Sequence, residues 1–196
     1  MELGLNRTEI VMVARNNSSV RKATAYAQRL KVALAVMHGS YEEAEVEDGR
    51  SSPPPMQKVE FVSDGQWPIF RHLSIHNTNF QLVGEVDEKL AILVDDIIDD
   101  VEPLIAAARF LKEQCSAKFV HVVATHALFS RDGALELNAS CIDEVVVTNT
   151  VPHESQAADC EKIKTIDISV LMIEAIRRLH NQESLSYLFA DVSVDD

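Results

Sequence analysis

An apolar run that leads straight into a cluster of acids, and from there into a helix, constrains this chain more than any other feature. Residues 89–110 read KLAILVDDIIDDVEPLIAAARF. Leu90, Ala91, Ile92, Leu93 and Val94 have no polar residue among them, the pattern of a strand covered on both faces. Leu104, Ile105, Ala108 and Leu111 recur at spacings of three and four, which puts them on one side of a helix. Between strand and helix stand Asp95, Asp96, Asp99, Asp100 and Glu102, five carboxylates in eight residues. In open α/β folds, ligands bind where a strand's carboxyl end turns into the next helix.

A loop that grips a phosphate at such a turn uses free backbone N–H groups, glycine for close approach and the positive end of the helix dipole. This turn offers Asp100, Val101, Glu102 and Pro103 instead. Proline donates no N–H, and Asp100 and Glu102 repel an anion. The same residues make a sound helix start, with Asp as a cap, Pro in the first turn and acids against the dipole. The sequence therefore predicts a helix end satisfied by its own residues.

Regular alternation surrounds this stretch. Strands are predicted at 10–14, 31–38, 90–94, 119–124, 144–148 and 164–167, with helices at 20–30, 103–114, 133–138 and 169–180. The 31–38 strand, like 90–94, reads as covered on both sides. Val20, Ala23, Ala27 and Leu30 share a face of the first helix, and Ser18 or Ser19 can cap it. Short apolar strands alternating with amphipathic helices specify an α/β fold, a parallel sheet flanked by helices. Residues 59–62 and 80–86 suggest strands of a small flanking β element, joined by 63–79. Residues 39–58 are acidic, then rich in serine and proline, and read as a mobile loop. The polar tail, 190–196, is expected to fray. At 196 residues the whole of 1–196 fits one domain with a sizeable core.

A net charge of -13 excludes non-specific nucleic-acid binding, which needs clustered Lys and Arg. No apolar run reaches the ~18 residues of a membrane span, and MELGLNRTEI lacks the charged-then-apolar pattern of a signal peptide. Cys115, Cys141 and Cys160 are odd in number, far apart and without a CxxC pair. They read as buried or free cytosolic thiols. A cytoplasmic protein is expected.

Catalytic signatures are few. G-x-S-x-G, H-E-x-x-H, the P-loop and G-x-G-x-x-G are all missing from the sequence. His126 follows a strand and either faces a site or is polar surface. Asp95 and Asp96, side by side after a strand, suit the two hydroxyls of a ribose or water held by magnesium. They equally suit a solvated acidic turn.

The strand followed by VDDIIDD carries the signature of type I phosphoribosyltransferase folds. Longer stretches, ATHALFS (124–130), DEVVVTNTVPHE (143–154), KIKTIDIS (162–169) and EAIRRLHNQESLSYLF (174–189), resemble the ribose-phosphate pyrophosphokinase, or phosphoribosyl pyrophosphate synthetase, family. RKATAYAQRLKVALAVMHG, EDGRSSPPPM and VDDIIDD itself are similar to the non-catalytic, synthetase-associated branch of that family. The resemblance implies a type I phosphoribosyltransferase-like fold and the C-terminal domain of a two-domain architecture. The enzymes of the family move the β,γ-diphosphoryl group of ATP to the 1-hydroxyl of ribose 5-phosphate, with magnesium.

Carried over by position, Asp95 and Asp96 match the pair that addresses the ribose hydroxyls, and Asp99 to Pro103 match the loop that holds the 5-phosphate. There Asp99 is kept, but the family's Thr-Cys-Gly-Thr is replaced by Asp100, Val101, Glu102 and Pro103. Asn16 stands where the family has an Asp near magnesium and ribose, and Ser18 and Ser19 stand at its glycines. The basic catalytic loop falls at about 69–79, where Arg71 is the one permanent cation. Ser184 and Ser186 match the serines of a regulatory phosphate pocket, or are ordinary hydroxyls near a helix end. The resemblance thus implies a vestigial site with no catalytic residues intact, in a regulatory subunit for nucleotide biosynthesis. Such a subunit requires no cofactor, though magnesium has room at Asp95 and Asp96. Its partners would be catalytic synthetase subunits, in a homo- or hetero-oligomer. The alternatives are an active ribose-phosphate diphosphokinase or, more distantly, a transferase that consumes phosphoribosyl pyrophosphate.

Overall fold

The computed structural model describes residues 6–16, 18–39, 80–130 and 132–189. Seven strands form one sheet: β1 (Ile10–Ala14), β2 (Ala33–His38), β3 (Gln81–Val83), β4 (Leu90–Ile98), β5 (Phe119–Ala127), β6 (Glu144–Thr148) and β7 (Ile163–Ile166). Their order across the sheet is β3-β2-β1-β4-β5-β6-β7. All neighbours run parallel except β3, which pairs antiparallel with β2. Among the described residues five helices accompany them: α1 (Val20–Leu30), α2 (Glu102–Glu113), α3 (Gly133–Ala139), α4 (Glu154–Asp159) and α5 (Ser169–His180). Single 3-10 turns lie at Arg7–Glu9 and Ser186–Phe189.

The core lies on both sides of this sheet. The larger part joins Val11, Val13, Ala91 and Leu93 of the central strands to Leu104, Ala107, Ala108 and Leu111 of α2. The smaller sets Met12 and Val94 against Ala27 of α1. Central strands covered on both faces are what the unbroken apolar runs require. Strand β2 departs from that expectation: Ala35 and Met37 are buried, but Leu34 and Val36 are only half-buried and Ala33 and His38 are exposed. Its outer neighbour is the three-residue β3, so it sits near the sheet's rim.

Several boundaries differ from the sequence reading for identifiable reasons. Strand β2 starts at Ala33 because Lys31 turns left-handed (φ 54°) and closes α1, donating its N–H to the carbonyls of Ala27 and Gln28. Strands β4 and β5 each outrun their apolar cores, β4 to Ile98 and β5 to Ala127. They sustain each other, since Asp95 pairs with Ala124, Ile97 with His126 and Ile98 with Ala127. The strand expected at 80–86 shrinks to β3, because Gly84 at φ +123° breaks it. A Cβ there would lie 2.7 Å from that of Ala35, so only glycine allows the approach. Helix α4 went unforeseen. The strand at 59–62, the connection at 63–79, nearly all of the 39–58 loop, the basic loop at 69–79 and the 190–196 tail lie outside the described residues.

Candidate functional site

The sheet's strand order reverses beside β1, which has β2 on one side and β4 on the other. The carboxyl ends of β1 and β4 therefore flank the switch point where open α/β sheets bind ligands. Arg15 and Asn16 leave β1 there, and Asp95 and Asp96 lie within the last turns of β4 rather than after it.

Both aspartates are engaged by cations of the chain itself. Arg15 Nη2 donates to Asp95 Oδ2 at 2.7 Å, with both side chains about three-quarters buried. Asp95 Oδ1 accepts the N–H of Asp96 at 2.9 Å. Lys22, in the first turn of α1, forms an ion pair with Asp96. Arg15 Nε is buried with no hydrogen-bond partner among the described residues. Asn16 turns away from these carboxylates. Its side-chain oxygen accepts from Ser18 Oγ (2.7 Å) and from the Ser19 N–H (2.9 Å), and its own N–H donates to Ser19 Oγ at 3.2 Å. The Asn16, Ser18 and Ser19 set thus fastens the turn into α1.

Magnesium wants several hard oxygen ligands in near-octahedral array. Here two carboxylates are already balanced by an arginine and a lysine, and the neighbouring Asn16 amide is spent on its own turn. This donor set does not fit a resident magnesium ion. Among the described residues no three His, Cys, Asp or Glu side chains converge as a metal site.

The turn into α2 is filled in the same manner. Asp100 Oδ1 accepts the Glu102 N–H at 3.1 Å, so the first helical amide is capped by a carboxylate. Val101 is buried, and its carbonyl accepts the N–H groups of Leu104 and Ile105, both at 3.0 Å. Pro103 occupies the first turn and has no N–H to offer. Asp99 is bound by Ser130 twice: its carboxylate by the hydroxyl, its carbonyl by the N–H at 3.0 Å. The segment after β5 that carries Ser130 is itself held down, since Leu128 and Phe129 donate to the Ile98 carbonyl at 2.8 and 3.1 Å. Phe129 is buried at φ 48°, an αL conformation that a bulky residue keeps only where packing fixes it.

The remaining candidates fall elsewhere. The hydroxyls of Ser184 and Ser186 lie 2.6 Å apart, and Arg178 donates to the Ser184 carbonyl at 3.1 Å. None of these contacts joins the serine pair to the aspartates. His126 Nδ1 lies 2.8 Å from Thr150 Oγ1 on the exposed end of β5. His153 is buried, with Nδ1 2.8 Å from the Val151 carbonyl and Nε2 2.9 Å from Thr165 Oγ1, a pair of partners that suits the Nδ1–H tautomer. All three cysteines are free. Burial pushes the thiols of Cys115 and Cys141 up, in Cys141 against the opposing pull of Lys112 and Arg109.

Arg15, Lys22 and Ser130 were not singled out from the sequence. Arg15 and Lys22 meet acids more than 70 positions away, and no local pattern carries that pairing. The one available signal is a pair of basic residues around a turn that faces the acidic end of a neighbouring strand.

Fold and site together define a type I phosphoribosyltransferase-like α/β domain whose switch-point carboxylates are paired with its own side chains. Comparison with known proteins is more specific. The family model described as phosphoribosyl synthetase-associated domain matches residues 6–190, and the chain belongs to that family. It is 44% identical over 193 residues to human phosphoribosyl pyrophosphate synthase-associated protein 1, a match covering 97% of this chain and 53% of that protein. It is 36% identical over 180 residues to ribose-phosphate pyrophosphokinase 2 of Schizosaccharomyces pombe, covering 92% of this chain and 46% of the relative. The chain thus spans about half the length of these curated relatives. Among solved structures, the phosphoribosylpyrophosphate synthetase of Mycobacterium smegmatis shares the fold, with a TM-score of 0.65 at 24% identity over 89% of this chain and 46% of that one.

Proposed function

We propose that this chain is a non-catalytic, regulatory component of a phosphoribosyl pyrophosphate synthetase assembly and serves nucleotide biosynthesis by associating with catalytic subunits. One observation carries the proposal: the carboxylates that would address a ribose are paired with Arg15 and Lys22, and the α2 amide that would meet a phosphate is capped by Asp100. Diphosphoryl transfer depends on positioned substrates and on cations aimed at the charge that develops on phosphoryl oxygens. Among the described residues, the cations beside these carboxylates, Arg15 and Lys22, are aimed at the chain's own acids. The associated-protein relatives support the same reading.

Ribose hydroxyls would compete with Arg15 and Lys22 for Asp95 and Asp96, and a phosphate at the turn into α2 would have to displace the Asp100 cap. We assign no required cofactor, and treat Ser184 and Ser186 as a candidate phosphate contact outside the crevice. No helix among the described residues is long and apolar enough to cross a membrane, and the free cysteines support a cytoplasmic setting. The competing reading, an active diphosphokinase, draws on the 36% identity to the fission-yeast pyrophosphokinase. The two separate by assay of the protein alone and mixed with a catalytic synthetase subunit. No phosphoribosyl pyrophosphate formation alone, with co-purification and altered output in the mixture, is the expected result. Turnover by the chain alone would overturn the proposal, as would failure to associate.

A further inference from the structure

Two adjacent carboxylates at a strand end ask for positive charge, and a divalent cation is one way to supply it. At Asp95 and Asp96 the charge comes from within the chain. Arg15 reaches Asp95 and Lys22 reaches Asp96, so each acid has its own cation and the charges cancel. Rigid elements bring both cations to their places. Strands β1 and β4 pair in parallel with Val13 beside Leu93, and two further steps along that register set Arg15 beside Asp95. Lys22 lies in the first turn of α1, a helix anchored by the buried Ala23 and Ala27. The bonds among Asn16, Ser18 and Ser19 fasten the start of that helix. A separate observation shows how firmly Arg15 is committed. Its Nε is buried and meets no acceptor among the described residues. Leaving a guanidinium N–H unmet is costly, so the bond to Asp95 is what holds the group there. Both oxygens of Asp95 are engaged, Oδ2 by Arg15 at 2.7 Å and Oδ1 by the Asp96 N–H at 2.9 Å.

We propose that Arg15 and Lys22 are resident counter-cations that do for Asp95 and Asp96 what a divalent ion would do, and that they keep such an ion out. A metal ion approaching either carboxylate meets a positive charge already in contact with it. Like charges at that range repel strongly, so the ion binds only by displacing at least one of the two side chains. The two differ in grip. Arg15 and Asp95 are about three-quarters buried, whereas the side chains of Lys22 and Asp96 are 47% and 60% exposed, where water and salt screen the pair. Arg15 is therefore the main barrier and Lys22 the lesser one. The carboxyl ends of β1 and β4 then keep their geometry without metal, and divalent cations do not tune them. This deepens the functional reading above and rests on the same ion pairs, but the two are decided separately. Metal binding by the wild type sinks the counter-cation assignment, whereas turnover by the chain alone sinks the regulatory reading.

Manganese(II) is the probe, its binding to the 196-residue chain followed by loss of the free ion's electron paramagnetic resonance signal. The wild type is expected to give the same isotherm as Asp95→Asn with Asp96→Asn, so that no binding depends on these carboxylates. Arg15→Gln together with Lys22→Gln should gain a site with an apparent affinity at least about tenfold above wild type. Adding the two Asn substitutions should remove that gain, and far-UV circular dichroism checks that each variant is folded. If the double Gln variant does not fold, Lys22→Gln alone, at the exposed pair, carries the test with a smaller gain in the same direction. As an independent readout on the wild type, the amide signals of Asp95 and Asp96 should keep their positions as magnesium is added. Wild-type manganese binding that the Asn pair abolishes overturns the proposal, as does a magnesium-dependent shift of those two amides. A folded Gln variant that binds manganese no better than the wild type overturns it too.

Discussion

Removing Arg15 exposes how the crevice is held. The Arg15–Asp95 pair joins the end of β1 to β4 at 2.7 Å, with both side chains about three-quarters buried. Among the described residues, Arg15→Ala leaves the Asp95 carboxylate with the Asp96 N–H alone. An exposed ion pair contributes about 0–1 kcal/mol, whereas a hydrogen bond to a charged, partly buried group contributes about 1.5–3 kcal/mol. A quarter-exposed pair falls between, so Arg15→Ala is expected to cost about 1–2 kcal/mol. For a chain of this length that lowers Tm by about 3–6 °C. Lys22→Ala removes the outer pair, whose side chains are 47% and 60% exposed, and should cost less than about 0.5 kcal/mol. Urea unfolding of Arg15→Ala, Asp95→Asn and the double variant measures the coupling directly. A coupling of about 1 kcal/mol is expected. Strict additivity, or a larger loss from Lys22→Ala than from Arg15→Ala, would refute the placement of these charges.

Two other outcomes follow from the same structure. Gly84→Ala puts a Cβ 2.7 Å from that of Ala35 at a φ of +123° and should destabilise by about 1–3 kcal/mol, read as a fall in the urea midpoint; an unchanged midpoint would contradict the β2–β3 register. The hydrogen bonds from Arg177 and Arg178 hold the Glu174 carboxyl down to about 2. A depressed carboxyl adds stability above its unfolded value, 4.5, and loses it as pH falls toward the folded one. The side-chain carbon shift of Glu174, followed by NMR, should therefore show it still ionised at pH 3.5. A midpoint near 4.5 would mean the α5 network is not formed.

How much was legible in the sequence depended on whether the decisive partner was local. The 90–94 strand, the helix after it and the Asp100 cap are short-range matters of apolar spacing and turn chemistry, and they could be read directly. The ends of β4 and β5 could not, because each strand is extended by the other across the sheet. Helix α4 has only six residues, too short for periodicity to stand out. In the crevice, the acids were visible but their neutralisation was not. Arg15 and Asp95 are 80 positions apart, and only the strand order β1-β4 makes them neighbours. The left-handed Phe129 is likewise a tertiary effect, since an isolated chain would avoid it.

The most direct test is a calorimetric titration of ribose 5-phosphate, with magnesium present, into the wild-type protein, with a catalytic relative as the positive control. A crevice whose acids are paired and whose helix amide is capped should give no saturable heat up to about 1 mM sugar phosphate, a free-energy limit of about -4 kcal/mol. Saturation in the micromolar range, lost on substitution of Asp95 and Asp96, would contradict the account.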